Sequence, residues 1–107
     1  MWKTHDGIDI SAHVSDVVKS VEKGTVERIY EDAFFGMTII IDHSQGYKSI
    51  YSNLEQNVLV KEKQTIVKGT KIGKIGKTSV GEYCDESHLH FALKYNNELI
   101  DPTYIFK

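Results

Sequence analysis

Short β-branched runs broken by glycine restrict this chain to a strongly curved antiparallel sheet. Met37 to Asp42 reads MTIIID, the pattern of a core strand. Tyr47 to Leu54 alternates, with Tyr47, Ser49, Tyr51 and Asn53 on one face and Lys48, Ile50, Ser52 and Leu54 on the other. His43-Ser44-Gln45-Gly46 is the expected turn between these two runs, which makes them a hairpin. Upstream, Ile8 and Ile10 alternate with polar neighbours. Val17-Val18, Val21 and Val26 follow, with a turn expected at Gly24-Thr25. Downstream, Val58 to Val60 and Ile66-Val67 read as short strands, and Lys68-Gly69 and Gly73-Lys74-Ile75-Gly76 interrupt the chain. His90 to Tyr95 is a further strand. Asn96-Asn97 suits a hairpin turn because asparagine tolerates positive φ, and Glu98 to Ile100 returns. No amphipathic helix is evident. The reading is an all-β antiparallel sheet, sandwich or barrel-like.

Bulk properties exclude several function classes. At 107 residues the chain is read as one domain, 1–107. A net charge of −2 gives no reason to expect nucleic acid or an anionic membrane as the main partner. No apolar run approaches the ~20 residues that cross a bilayer, and no secretory signal opens the chain. Met1 leads almost directly into a cluster of polar ligands. The expectation is therefore a fragment of a longer protein whose membrane anchor lies upstream. Cys84 is the single cysteine, which rules out an intramolecular disulfide.

The chemistry-bearing residues fall in two groups, His5-Asp6-Gly7-Ile8-Asp9 near the start and His88-Leu89-His90 near the end. Two histidines and a carboxylate drawn from them would make a three-ligand zinc site with a fourth position open to water, the arrangement of a catalytic zinc. His88 and His90 are two apart, so on a strand they share a face with Cα atoms ~6.6–6.8 Å apart. Leu89 and Phe91 then face the core. His5 and Asp9 are four apart, ~13 Å on a straight strand, so a bend at Gly7 is needed to bring them together. His13 reads as a loop residue and His43 as a turn residue. Tyr30, Phe34 and Phe35 are candidates for contact with a partner, or partial core.

Read in order, these segments resemble the LytM, or lysostaphin-type, zinc metallopeptidases of family M23. The matching stretches are His5 to Asp9, Thr38-Ile39-Ile40-Ile41-Asp42-His43 with Gly46-Tyr47, and Tyr51-Ser52-Asn53-Leu54. They continue with Val67-Lys68-Gly69, Ile72-Gly73, Gly76-Lys77-Thr78, His88-Leu89-His90-Phe91 and Asp101-Pro102-Thr103-Tyr104. The resemblance implies a β fold around a zinc groove that takes peptidoglycan peptides. It implies Zn2+ on His5, Asp9 and His90, and a catalytic role for His88.

The sequence departs from the family pattern at one catalytic position. The family's second catalytic histidine falls in a Tyr-x-His-Leu motif, and here Asn53 stands at that place. An amide can donate a hydrogen bond but does not usefully accept a proton near neutral pH. Losing such a group typically costs ~10²–10⁴ in rate. Tyr83 to Ser87 replaces the family's usual Gly-Pro lead-in to the histidines, and Ala92 stands where a glutamate is common. A zinc-retaining domain with this replacement is similar to the stage II sporulation protein Q group of clostridia. That similarity implies a forespore-membrane protein facing the intermembrane space and a partner in the stage III sporulation protein AH ectodomain. On this reading it is an interaction module with impaired hydrolysis; the alternative is an active zinc endopeptidase cutting peptidoglycan peptides.

Overall fold

The computed structural model describes residues 8–77 and 88–100, with Ile8 and Asp9 described by strand register alone. The described residues form nine strands and no helix: β1 (Ile8–Ser11), β2 (Val17–Lys19), β3 (Gly24–Asp32), β4 (Gly36–Ser44), β5 (Tyr47–Leu54), β6 (Thr65–Ile66), β7 (Lys71–Lys74), β8 (His88–Tyr95) and β9 (Glu98–Ile100). The main sheet runs β1-β8-β5-β4-β3-β6, and β9 also pairs with β8. Every pairing is antiparallel. β2 and β7 form a separate two-stranded ribbon.

Alternation places one face of the main sheet in the core. Val26, Ile41, Ser49 and Leu93 are successive partners across β3, β4, β5 and β8, and Ile29, Ile39, Tyr51 and Phe91 form the next such row. Ile39, Ile41 and Val26 are fully buried, and Tyr51 and Phe91 nearly so. Val18 of the ribbon's β2 and Ile72 of its β7 join the same cluster. The ribbon thus covers the sheet, and each large apolar side chain buried between them contributes roughly 1.5–3 kcal/mol.

Three turn and strand expectations are corrected. Gly24-Thr25 is not a turn: both residues are strand, paired with Ile66 and Thr65. Gly24 is needed for close approach, since a Cβ there would lie 2.5 Å from the Asp42 carbonyl oxygen. His43 and Ser44 belong to β4, and the turn shrinks to Gln45-Gly46, with φ of 54° and 89°. Two positive φ values match the twist of a tight hairpin. Val58 to Val60 is loop rather than strand, although Val60 is buried and the Leu59 N–H donates to the Ile72 carbonyl. The Asn96-Asn97 turn is as expected, with φ of 52° and 69°.

His43 has a larger role than a turn residue. Its Nδ1 lies 2.7 Å from the Lys23 carbonyl oxygen and its Nε2 lies 2.6 Å from Ser49 Oγ. Facing a carbonyl, Nδ1 must carry a proton. Ser49 Oγ in turn lies 2.8 Å from the Tyr51 hydroxyl, which also accepts from the Val21 N–H at 3.0 Å. This chain, buried at Ser49 and Tyr51, ties β4 and β5 to the 21–23 bend. Burial raises the Tyr51 phenol above its ordinary value of 10.0, because the phenolate would lose its hydration. The unfolded chain therefore ionises first. The stability contributed by neutral Tyr51 is complete below about pH 10 and is lost as pH rises through the folded value. Urea titrations from pH 8 to 11 should show falling stability above pH 10, and Tyr51→Phe should flatten that decline while costing roughly 1–3 kcal/mol at neutral pH. An equal alkaline slope in Tyr51→Phe would assign it to other groups.

Candidate metal centre

β8 is the strand on which the site is built. It pairs with β5 along one edge and with β1 along the other. On the β1 side, His90 is the register partner of Asp9, and His88 is the partner of Ser11. On the β5 side, His90 is the partner of Ser52. Both histidines are buried, each 7% exposed. Phe91 lies in the core as expected, and Leu89 packs against it from a half-buried position. The sequence thus placed the histidine pair on the face opposite the core.

A polar row continues from His90 across the sheet. The Thr38 hydroxyl donates to the Gly36 carbonyl at 2.9 Å and shares a 2.9 Å hydrogen bond with the Ser52 hydroxyl. Both side chains are almost fully buried, and both remain hydrogen-bonded, as buried hydroxyls must be. Sequence reading placed Ser52 on the right face but gave it no part in the site. Its signal was register: Ser52 and His90 sit directly opposite.

Asn53 is where the strand alternation fails. Its φ is 67°, in the left-handed region that asparagine enters more readily than most residues. β5 pairs irregularly with β4 between Met37 and Ile39, at the same level. The kink turns Leu54 into the core, where it is fully buried, instead of leaving it on the Ser52 face as alternation required. It also fixes Asn53 by three bonds. Its N–H donates to the Phe35 carbonyl at 3.0 Å, its carbonyl accepts from the Gly76 N–H at 2.8 Å, and its Nδ2 donates to the His88 carbonyl at 2.7 Å. Gly76 can make this approach because it lacks a Cβ, which would lie 2.7 Å from the Glu55 nitrogen. The amide at the place of the family's second catalytic histidine is thus bonded to the backbone of β8 at His88.

The β3–β4 turn adds Phe35, which the sequence alone marks as a partner contact or partial core. The Asp32 carboxylate accepts from the N–H groups of Phe34 and Phe35 at 2.8 and 2.9 Å. This directs the Phe35 ring onto His90, with centroids 4.1 Å apart and planes 13° apart. Phe34 packs edge-on against Phe35 at 4.8 Å and is 48% exposed. Nothing in the sequence signalled a stack between residues 55 positions apart.

Asp9 and His90 are register partners, and His88 lies two residues from His90 on the same strand. A carboxylate residue and an imidazole residue on one rung of a ladder, with a second imidazole two residues on, are a donor set that fits zinc. Among the described residues no group of three or more His, Cys, Asp or Glu side chains forms a metal cluster. His5 and the side chain of Asp9 lie outside the described residues, as do Gly7 with its expected bend, Tyr83 to Ser87 including Cys84, and Asp101 to Tyr104. Zinc, when bound, supplies Lewis acidity that activates water and polarises a carbonyl.

The family model for peptidase family M23 matches residues 3–102. The chain belongs to that family. It is 30% identical over 97 residues to the peptidoglycan DD-endopeptidase ShyB of Vibrio cholerae, covering 91% of this chain and 22% of the relative. It is 29% identical over 99 residues to the murein hydrolase activator NlpD of Escherichia coli, covering 90% and 24%. The chain thus spans under a quarter of the length of these relatives. A zinc-containing peptidase from Vibrio cholerae superposes with a TM-score of 0.81 at 30% identity, covering 91% of this chain and 29% of that one. A chain of the SpoIIIAH–SpoIIQ complex superposes with a TM-score of 0.83 at 24% identity, covering 94% and 71%. At that identity the likeness is one of fold. The all-β antiparallel expectation is therefore correct.

The backbone slot at Asn53 can be tested apart from any activity. Asn53→Ala should destabilise the protein by roughly 2–3 kcal/mol, combining left-handed strain with a lost buried hydrogen bond. Asn53→Gly should recover about 1 kcal/mol of that, since glycine adopts positive φ freely. Denaturant melts giving equal losses for the two would remove backbone strain from the account.

Proposed function

We propose that this is a zinc-binding M23 domain whose main work is to bind, with hydrolysis impaired by the replacement at Asn53. The ligands are His5, Asp9 and His90, and His88 is the remaining catalytic-side histidine. The observation that carries this reading is the 2.7 Å hydrogen bond from Asn53 Nδ2 to the His88 carbonyl. One N–H of the amide is committed to the β8 backbone, and the amide has no basic nitrogen to offer a reacting group. Histidine is also among the residues enriched at positive φ, so the same backbone slot can accept the family residue. The replacement thus changes chemistry while leaving the local fold possible.

The partner chemistry is proposed at two levels. Relatives named for peptidoglycan cleavage and for murein hydrolase activation support a location outside the cytoplasm and contact with cell-wall peptides. The likeness to a chain of the SpoIIIAH–SpoIIQ complex supports a protein partner, and we propose the stage III sporulation protein AH ectodomain, met at the forespore membrane. The second reading, an active endopeptidase, is favoured by one observation: His88 and His90 lie together, buried, on the strand that also pairs with Asp9.

The two readings separate on peptidoglycan. Zinc-loaded protein should release peptides at least ~10²-fold more slowly than Asn53→His. Brisk cleavage by the native sequence, abolished in His88→Ala, would establish the peptidase instead. Binding to the purified partner ectodomain, measured by calorimetry, should survive His88→Ala.

Metal removal gives a further expectation. Asp9 and His90 lie on strands from opposite ends of the chain, so an ion held there would cross-link the termini. Dialysis against a chelator should lower the melting temperature, and added zinc should restore it. An unchanged melt after demonstrated zinc loss would remove the cross-linking role.

A further inference from the structure

The aromatic turn between β3 and β4 does more than close a hairpin. Its tip, Ala33-Phe34-Phe35, reaches the site through two separate attachments. The Phe35 ring lies nearly parallel to the His90 imidazole at 4.1 Å. The Phe35 carbonyl accepts the Asn53 N–H at 3.0 Å, and Asn53 in turn donates to the His88 carbonyl. One residue therefore touches the side chain of His90 and, through one intervening residue, the backbone of His88. The turn itself is held by Asp32, whose carboxylate accepts two consecutive N–H groups.

From this geometry we infer that Phe35 is a positioning residue for His90, fixing the plane of its imidazole for the metal. The inference rests on the zinc-site reading above. An imidazole can rotate about χ2, and that torsion is broad rather than three-fold. A flat ring stacked against it removes the rotation at small cost, because Phe35 is itself tethered by its own carbonyl. The stack should also strengthen when the metal is bound. A ligated imidazole carries positive character, and the face of a phenyl ring attracts positive charge. Hydrogen-bonding partners commonly orient metal-bound histidines; here a phenyl face does so from the side.

Phe35 is half-buried and lies at a turn, so its truncation should leave the core intact. Three variants test the inference: Phe35→Leu, which keeps apolar bulk without a flat face, Phe35→Tyr, which keeps the face, and Asp32→Ala, which frees the turn without touching the site. The first readout is zinc affinity by competition with a chromophoric chelator. Phe35→Leu should bind zinc about 10- to 100-fold more weakly, and Phe35→Tyr should be near native. Asp32→Ala should fall between them. The second readout needs no metal: the ring protons of His90 should move downfield in Phe35→Leu as the ring current of the stack is lost, with the metal-free melt little changed. Unaltered zinc affinity in Phe35→Leu, with native protein binding zinc normally, would overturn the positioning role and leave the metal site standing. Failure of native protein to bind zinc at all would overturn both.

Discussion

The structure depends on β8 being paired along both edges. β5 holds it on one side through residues from Tyr47 to Ser52, and β1 holds it on the other from Ile8 to Ser11. A strand fixed on both edges cannot slip by one residue without exchanging its two faces. Here a slip would send Phe91 and Leu93 to the face that now carries the histidines, and His88 and His90 into the core. The burial of two large apolar side chains therefore sets the direction of two imidazoles. The core stabilises the register, and the register places Asp9 opposite His90 although 80 residues of chain lie between them. β9 adds to the edge of β8 that β1 leaves open, pairing Leu93 with Ile100. The apolar and chemical faces of β8 are thus one constraint seen from two sides.

Much of this was legible in the sequence because strand parity is a strong signal. The alternation of His88, Leu89, His90 and Phe91 gave the two faces directly, and MTIIID marked the central strand. The asparagine pair at 96 and 97 and the glycine at 46 marked tight hairpins, since few residues accept positive φ. Parity failed where the backbone departs from the pleat. Asn53 adopts a left-handed conformation, which moved Leu54 from its expected face into the core. Nothing in a linear pattern distinguishes an asparagine in a strand from an asparagine that kinks one. Gly24 misled in the opposite direction: it suggested a turn, yet serves to let two strands approach closely. The length of β3 was hidden because all but one of its residues are exposed or half-exposed, without the apolar run that marked β4. The Phe35–His90 stack and the His43–Ser49–Tyr51 chain join distant residues through side chains, and only the fold reveals such pairs.

The position of Asn53 bears on how metal binding and hydrolysis can part company in this fold. The slot demands a residue that tolerates positive φ and can hydrogen-bond toward β8, and asparagine satisfies both needs. The backbone bonds to the Phe35 carbonyl and from the Gly76 N–H belong to the position rather than to the side chain, so they survive a change of residue. What asparagine cannot supply is a titratable nitrogen near neutral pH. His90 and Asp9, by contrast, are positioned by the register of β1 and β8, which Asn53 does not set. Loss of the second catalytic histidine therefore leaves the proposed ligands undisturbed. The proposed ligand positions and the Asn53 position rest on different supports, the first on the pairing of β1 with β8 and the second on a single kinked residue of β5. Substitution at the kink can change the chemistry there while the ladder keeps Asp9 opposite His90, so the proposed binding role does not depend on hydrolysis.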